Sequence, residues 1–395
     1  MDDQYIDYKE DYLIENAFQE FSQKLALFSD FDPGFYEESL KDAHFWGQMG
    51  YRHLQIKAYL ALYEWRSDSH LAFLLAKAFR QIGEKESAWE WMQRVDLSGQ
   101  TNQLEVVILR GQLALELGFY QESKQDFQHV LQDWPQDYRA YQGLAQMYDS
   151  LDQTDQKIYY LEILLTYFIS EEPILRASWR KKLLEAYIAS DQIDLNQIQT
   201  LVENTSLPPL TVEECALLAD FYSQLSNWDQ AKAYLKQGLN IDPQQCDLLL
   251  LQLEIGALEK DQQTFKSALK KILSLLPPYS PLIMDCLYYA NLCQVYSQDL
   301  MKKLVDFYPL LEDSEDQFQV IVAWVAYQIE QGAIELAGQY SNFFDLSQLD
   351  PAYRAYLDGK IAFYQGRNHI AHDLLQDAWM EQVQVWDLKD LINRL

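Results

Sequence analysis

The side chains in this sequence that could do chemistry are its carboxylates, a pair of histidines and four cysteines. His369 and His372 stand three apart with Asp373 beside them, which would put two metal ligands on one helical face. A metal site needs further donors at fixed geometry, and none is marked. His44, His53, His70 and His129 are isolated. With 60 acidic residues, Glu and Asp fall four apart many times by chance, so spacing alone supports no paired-carboxylate mechanism. Cys215, Cys246, Cys286 and Cys293 form no Cys-x-x-Cys, and the first three of these sit in apolar stretches where a small hydrophobe fits. They read as reduced and structural. Phosphate loops, dinucleotide fingerprints, nucleophile elbows, zinc-protease helices and calcium loops are all missing from the sequence. The expectation is a chain without catalytic activity, metal or cofactor.

Charge narrows the partners. A formal net charge of −29 repels the phosphates of nucleic acids and disfavours anionic membrane surfaces. A protein or peptide partner is expected, with basic segments favoured and nucleic acid excluded. The densest basic stretch, Arg176 to Lys182, is expected to balance neighbouring carboxylates rather than hold RNA. No run approaches the ~18 apolar residues of a membrane span, so no membrane insertion is expected. The first residues have neither the basic start nor the apolar core of a secretory signal, so a cytoplasmic location is expected. Asn204-Thr205-Ser206 fits a glycosylation sequon, which matters only on a secretory route.

The elements that position these groups repeat. Pro243 and Pro277 are 34 residues apart, as are Val212 and Cys246, which open the units those prolines close. From Val212 to Gln245, Cys215, Leu218, Ala219 and Tyr222 make one apolar stripe at helical spacing. Ser226-Asn227 interrupts it, and Trp228, Ala231, Leu235 and Leu239 make a second stripe ending at Asp242-Pro243. Two amphipathic helices joined by a tight turn form a hairpin. The frame recurs from Ser69 (Ala76, Phe79, Gly83, Ala88), Leu104 (Gly111, Ala114, Gly118, Ser123, Phe127) and Tyr138 (Ala145, Tyr148, Leu161). It recurs again from Cys246 (Leu253, Gly256, Leu269) and Ala352 (Gly359, Ala362, Gly366, Ala371, Leu375). Small residues belong where helices approach within about 8–10 Å, and glycine at the fifteenth position lets the chain leave the first helix with positive φ.

This pattern resembles the tetratricopeptide repeat: a small residue at position eight, an aromatic at eleven, alanine at twenty, proline at thirty-two. The resemblance covers residues 36 to about 380 and implies an all-α, right-handed superhelical solenoid of about ten stacked hairpins with terminal capping helices. Looser units at Tyr36–Asp68, Arg176–Thr211 and Ser280–Gln317 leave the pairing around 155–211 and 280–317 open. The domain reading is an acidic arm and capping helix over 1–35, a repeat array over 36–380, and a capping helix over 381–395. Within the first part, Tyr12 to Phe28 reads as an amphipathic helix and residues 2–11 as a solvated acidic arm, which would occlude the groove only if it lay on Lys77 and Arg80.

What the resemblance implies about function concerns the first helix of each hairpin, which lines a concave groove. Its second, fifth, ninth, twelfth and thirteenth positions here are His70, Phe73, Lys77, Arg80, Arg139 and Gln142 in the early units. Glu213, Asp220, Asp247 and Glu254 fill them in the middle, and Tyr353, Tyr356, Lys360, Phe363 and Tyr364 at the end. Such a groove would be mildly basic, then acidic, then aromatic. Phe73 and Lys77 do not reproduce the lysine–asparagine–arginine clamp that holds acidic chaperone tails. The leading expectation is a non-catalytic scaffold that binds a peptide or protein segment in this groove. The alternatives are a peptide-sensing regulatory receptor without a DNA-binding domain, and an accessory subunit of an enzyme or secretion assembly.

Overall fold

The computed structural model describes residues 16–25, 32–96, 103–190, 193–277 and 279–395. The arm expected over 2–11, and both ends of the helix expected over 12–28, lie outside the described residues. Residues 16–25 form α1, whose Phe18 and Phe21 rings meet Trp46 at centroid distances of 5.7 and 5.3 Å. The described residues contain no strand.

Helices pair in chain order and fall into two compact units, Met1–Pro208 and Pro209–Leu395. Among the described residues the first unit holds five hairpins. They are α2 (Pro33–Gln48) with α3 (Arg52–Trp65), α4 (Ser69–Gln81) with α5 (Lys85–Met92), α6 (Gln103–Glu116) with α7 (Tyr120–Asp133), α8 (Tyr138–Ser150) with α9 (Thr154–Tyr167), and α10 (Pro173–Ala189) with α11 (Leu195–Val202). The second unit holds five more: α12 (Val212–Gln224) with α13 (Trp228–Ile241), α14 (Cys246–Leu258) with α15 (Gln262–Leu275), α16 (Leu282–Cys293) with α17 (Gln298–Phe307), α18 (Ser314–Glu330) with the short α19 (Ile334–Ala337), and α20 (Pro351–Tyr364) with α21 (Asn368–Met380). A last helix, α22 (Leu388–Arg394), packs on α20 and α21.

One turn geometry joins the helices of most hairpins. Gly50, Gly83, Gly118, Gly332 and Gly366 sit at the middle of three-residue turns with φ between 74° and 88°. The next N–H closes back on a carbonyl of the first helix, as Glu84 does on Phe79 at 3.0 Å and Arg367 on Ala362 at 2.9 Å. This satisfies carbonyls that a helix end would otherwise leave unpaired. Asp152, Ser226 and Lys260 take the same left-handed conformation without being glycine, at φ of 53°, 57° and 60°. Helix packing therefore imposes the turn even where the residue resists it. Many of the acidic residues serve the helix starts: Asp68, Asp137, Asp261, Asp313 and Asp350 each accept a backbone N–H at an N-cap, and Thr211 with Glu214 forms a capping box.

Adjacent hairpins are keyed together by glycine. Phe127 of α7 is fully buried, and its ring lies against Gly111 of its own hairpin and Gly143 of the next. A Cβ on Gly143 would overlap that ring, and neither side has room to give. Gly143→Ala should therefore cost about 2 kcal/mol in urea unfolding, and most of that cost should vanish when Phe127→Leu is present in both members of the comparison. A cost that persists unchanged in the Phe127→Leu background would show that the ring is not the obstacle.

None of the four cysteines is in a disulfide; Cys215 and Cys286 are buried, and Cys246 and Cys293 half-buried. Burial pushes the Cys286 thiol up to about 12, which keeps it protonated and unreactive at neutral pH. No described helix is long and apolar enough to cross a membrane.

Candidate partner-binding site

In the second unit, three first helices converge on a cleft of about 410 Å³. Helix α12 contributes Ala216, Leu217 and Asp220, and α14 contributes Asp247, Leu250, Leu251 and Glu254. These positions are three and four apart, so each helix turns one stripe toward the cleft. Helix α16 adds Asp285 and Tyr289. Leucine side chains make the floor and four carboxylates the rim. None of the four forms an ion pair among the described residues; Asp220 accepts from the Gln224 amide at 2.9 Å and Asp247 from Gln245 at 3.4 Å. The Tyr289 hydroxyl hydrogen-bonds Glu254, and burial together with the charges of Glu254 and Asp285 raises its pKa. Tyr289 is therefore a phenol at neutral pH, donating to the rim instead of adding charge to it.

Asp220, Asp247 and Glu254 are thus brought together as the repeat frame expects. Glu213 lies in the first turn of α12, outside the cleft lining. Asp285 was not legible in the sequence, because the proline-bearing loop before α16 lengthens its unit and shifts the frame. The i,i+4 pair Asp285/Tyr289 on an apolar helix was the signal that could have found it.

A second cleft, about 460 Å³, lies in the first unit between α4, α6 and α8. Phe73, Lys77, Arg80 and Arg139 all line it, together with Glu105, Ile108, Leu109, Gln112 and Glu116. The arginines are neutralised in place. Arg80 pairs with Glu116 at 2.6 Å and donates to Gln112 at 2.8 Å; Arg139 pairs with Asp137 at 2.6 Å and Glu105 at 2.8 Å. Hydrogen bonds to Asp137 and Glu105 hold the Arg139 guanidinium firmly in its charged form. Glu105 and Arg139 are 34 residues apart at the same repeat position, a spacing that predicts their contact in hindsight. Only Lys77 among the lining cations lacks an ion pair among the described residues, so the basic end is a balanced rim with one spare charge. His70 is exposed at the start of α4, where its backbone N–H meets Asp68 at 2.6 Å. Gln142 accepts from the Trp179 indole at 3.3 Å.

The expected aromatic end is partly covered by the C-terminal segment. Tyr353 stacks on Phe318, with centroids 3.9 Å apart and rings 6° from parallel. Tyr356 and Lys360 are 0% and 3% exposed. Both bond Asp387, just ahead of α22: Lys360 Nζ lies 2.6 Å from one carboxylate oxygen and the Tyr356 hydroxyl 2.5 Å from the other. Phe363 lies under the Arg394 guanidinium at 5.0 Å, and Tyr364 is partly exposed. The C-terminal segment thus covers Tyr356 and Lys360, and a partner cannot reach them while it is in place.

Arg176 and Arg180, from the basic stretch, are buried on α10 and donate to the carbonyls of Ser206 and Pro208. They anchor the backbone that follows α11.

A run of three-residue turns, small residues at helix crossings and stripes of first-helix residues facing clefts defines an all-α helical-repeat protein. Residues 215–245 match the family model described as tetratricopeptide repeat, the same hairpin that shows the frame most clearly. The α12–α13 hairpin is thus a tetratricopeptide-type repeat unit. No curated protein sequence matches the chain. Among solved structures it is similar to a tetratricopeptide repeat protein from Parabacteroides merdae, at 14% identity over 74% of this chain and 95% of that one, with a TM-score of 0.37. It is also similar to pilF of Pseudomonas aeruginosa, at 17% identity over 64% of this chain and 96% of that one, with a TM-score of 0.34.

Proposed function

We propose that this chain is a non-catalytic scaffold that binds a basic segment of another protein along the first-helix face of its second unit. The observation that carries the reading is the convergence of Asp220, Asp247, Glu254 and Asp285, none in an ion pair among the described residues, on a leucine floor. Lysine or arginine side chains of the partner meet the rim, and an apolar residue between them fills the floor. Water leaves the floor on binding, which supplies affinity, while the rim sets orientation and association rate.

A pull-down with the tagged chain, eluted in salt steps, would isolate such a partner. The partner should then bind the Asp220→Asn/Asp247→Asn/Glu254→Gln/Asp285→Asn variant at least about tenfold more weakly, with a flatter salt dependence. Unchanged affinity and salt slope would put the binding elsewhere.

A further inference from the structure

The fifth hairpin is built short on one side. Helix α11 has 8 residues, as α5 does, where α7, α9, α13 and α15 have 14 each. A cleft of about 600 Å³ stands between α9 and α11 with α10 beneath it. Leu165 and Ile169 form one wall, Leu201 the other, and Leu183 and Tyr187 the floor. The segment leading from α9 into α10 leaves Tyr167, Ile169 and Ile174 exposed at 74%, 60% and 83%. Of these Ile169 lines the cleft, and large exposed apolar side chains beside an apolar cleft mark a surface that another molecule covers.

Charge and shape select the occupant. Glu162 on α9 faces the cleft and accepts from the Tyr187 hydroxyl at 2.7 Å, and Asp194 lies near enough to act on the same phenol. Among the described residues, no lysine or arginine lines the cleft. A second copy of this chain, at −29, is a poor match for it. We propose that this cleft seats an amphipathic helix of another protein, its aliphatic stripe against Leu165, Ile169 and Leu201 and its lysines or arginines toward Glu162. Because α9 and α11 are second helices of their hairpins, the site is separate from the first-helix cleft on α12, α14 and α16. The two proposals stand or fall independently.

The test uses the whole chain and two fluorescent peptides of identical leucine–lysine composition, each roughly 14 residues or about four helical turns. One has its leucines on a single helical face and the other is scrambled. Both feel the acidic surface, and with the first-helix cleft silenced by Asp220→Asn/Asp247→Asn/Glu254→Gln/Asp285→Asn in every protein compared, the difference between them isolates the groove. The amphipathic peptide should bind about tenfold tighter than the scrambled one. Ile169→Asp, at a solvent-exposed position, should erase that advantage, and Glu162→Gln, which keeps an acceptor for Tyr187, should weaken the amphipathic peptide severalfold. Equal binding of the two peptides, or an advantage that survives Ile169→Asp, would overturn the proposal. So would a wild-type dimer in sedimentation that Ile169→Asp dissociates, since that assigns the surface to a second copy.

Discussion

Lys360→Met should destabilise the Pro209–Leu395 unit by about 3–5 kcal/mol. The substitution removes the cation that faces Asp387 at 2.6 Å in a pocket where Lys360 is 3% and Asp387 5% exposed. The carboxylate that remains has only the Tyr356 hydroxyl as partner, and an uncompensated buried charge costs far more than the intact pair gains. Lys360 also lies over the rings of Tyr356 and Trp386 at 5.5 and 5.3 Å, so its loss removes cation–π contact as well. Replacing the whole triad, Lys360→Met with Asp387→Leu and Tyr356→Phe, should return to within about 1 kcal/mol of the parent, because no polar group is then left unpaired. Urea unfolding followed by helix signal and by tryptophan emission tests both arms. A single variant costing under about 1 kcal/mol would mean that water reaches the triad and the pair is a surface one.

Raising the pH should unfold the chain cooperatively within about two units above 10. Tyr59, Tyr187, Tyr222, Tyr308, Tyr340 and Tyr356 are all less than a tenth exposed. Burial raises the pKa of each. Neighbouring carboxylates add to the rise for Tyr187, through Glu162, for Tyr340, through Asp358, and for Tyr356, through Asp387. The sign follows from linkage: a phenol whose pKa is raised by folding holds its proton in the native state where the unfolded chain has lost it. Its contribution is intact below the unfolded value near 10 and declines as pH climbs past it. Each such group loses about 1.4 kcal/mol per pH unit, roughly half that after allowing for residual hydration of the hydroxyls. Six of them together remove about 4 kcal/mol per unit, against a typical total of about 5–15 kcal/mol. Phenolate absorbance should rise together with the loss of helix. Tyrosines that ionise one after another while the helix signal stays flat would refute this.

How much of this was legible in the sequence depends on how far apart the interacting residues lie. The hairpins follow from local patterns: Ser69–Gln81 carries Leu71, Leu75 and Ala78 on one face, and Gly83 marks the turn beyond it. The acidic middle was readable because Asp220, Asp247 and Glu254 occupy the same helical face in successive units. The neutralised arginines were not, since a groove position states where a side chain points and not whether Glu105 or Glu116 already holds it. Burial of Tyr356 and Lys360 depends on Asp387, 31 and 27 residues onward, in a segment with no repeat frame. The shortness of α11 escaped for a different reason: the pairing around 155–211 stays open in the sequence.

The ring of Phe127 between Gly111 and Gly143 also has a mechanical meaning. A side chain clasped by two backbones is a pinned joint: the hairpins on either side can neither slide along one another nor spread without first expelling the ring. Bending of the first unit is thereby moved away from that seam. Stiffness here is set by two missing methyl groups.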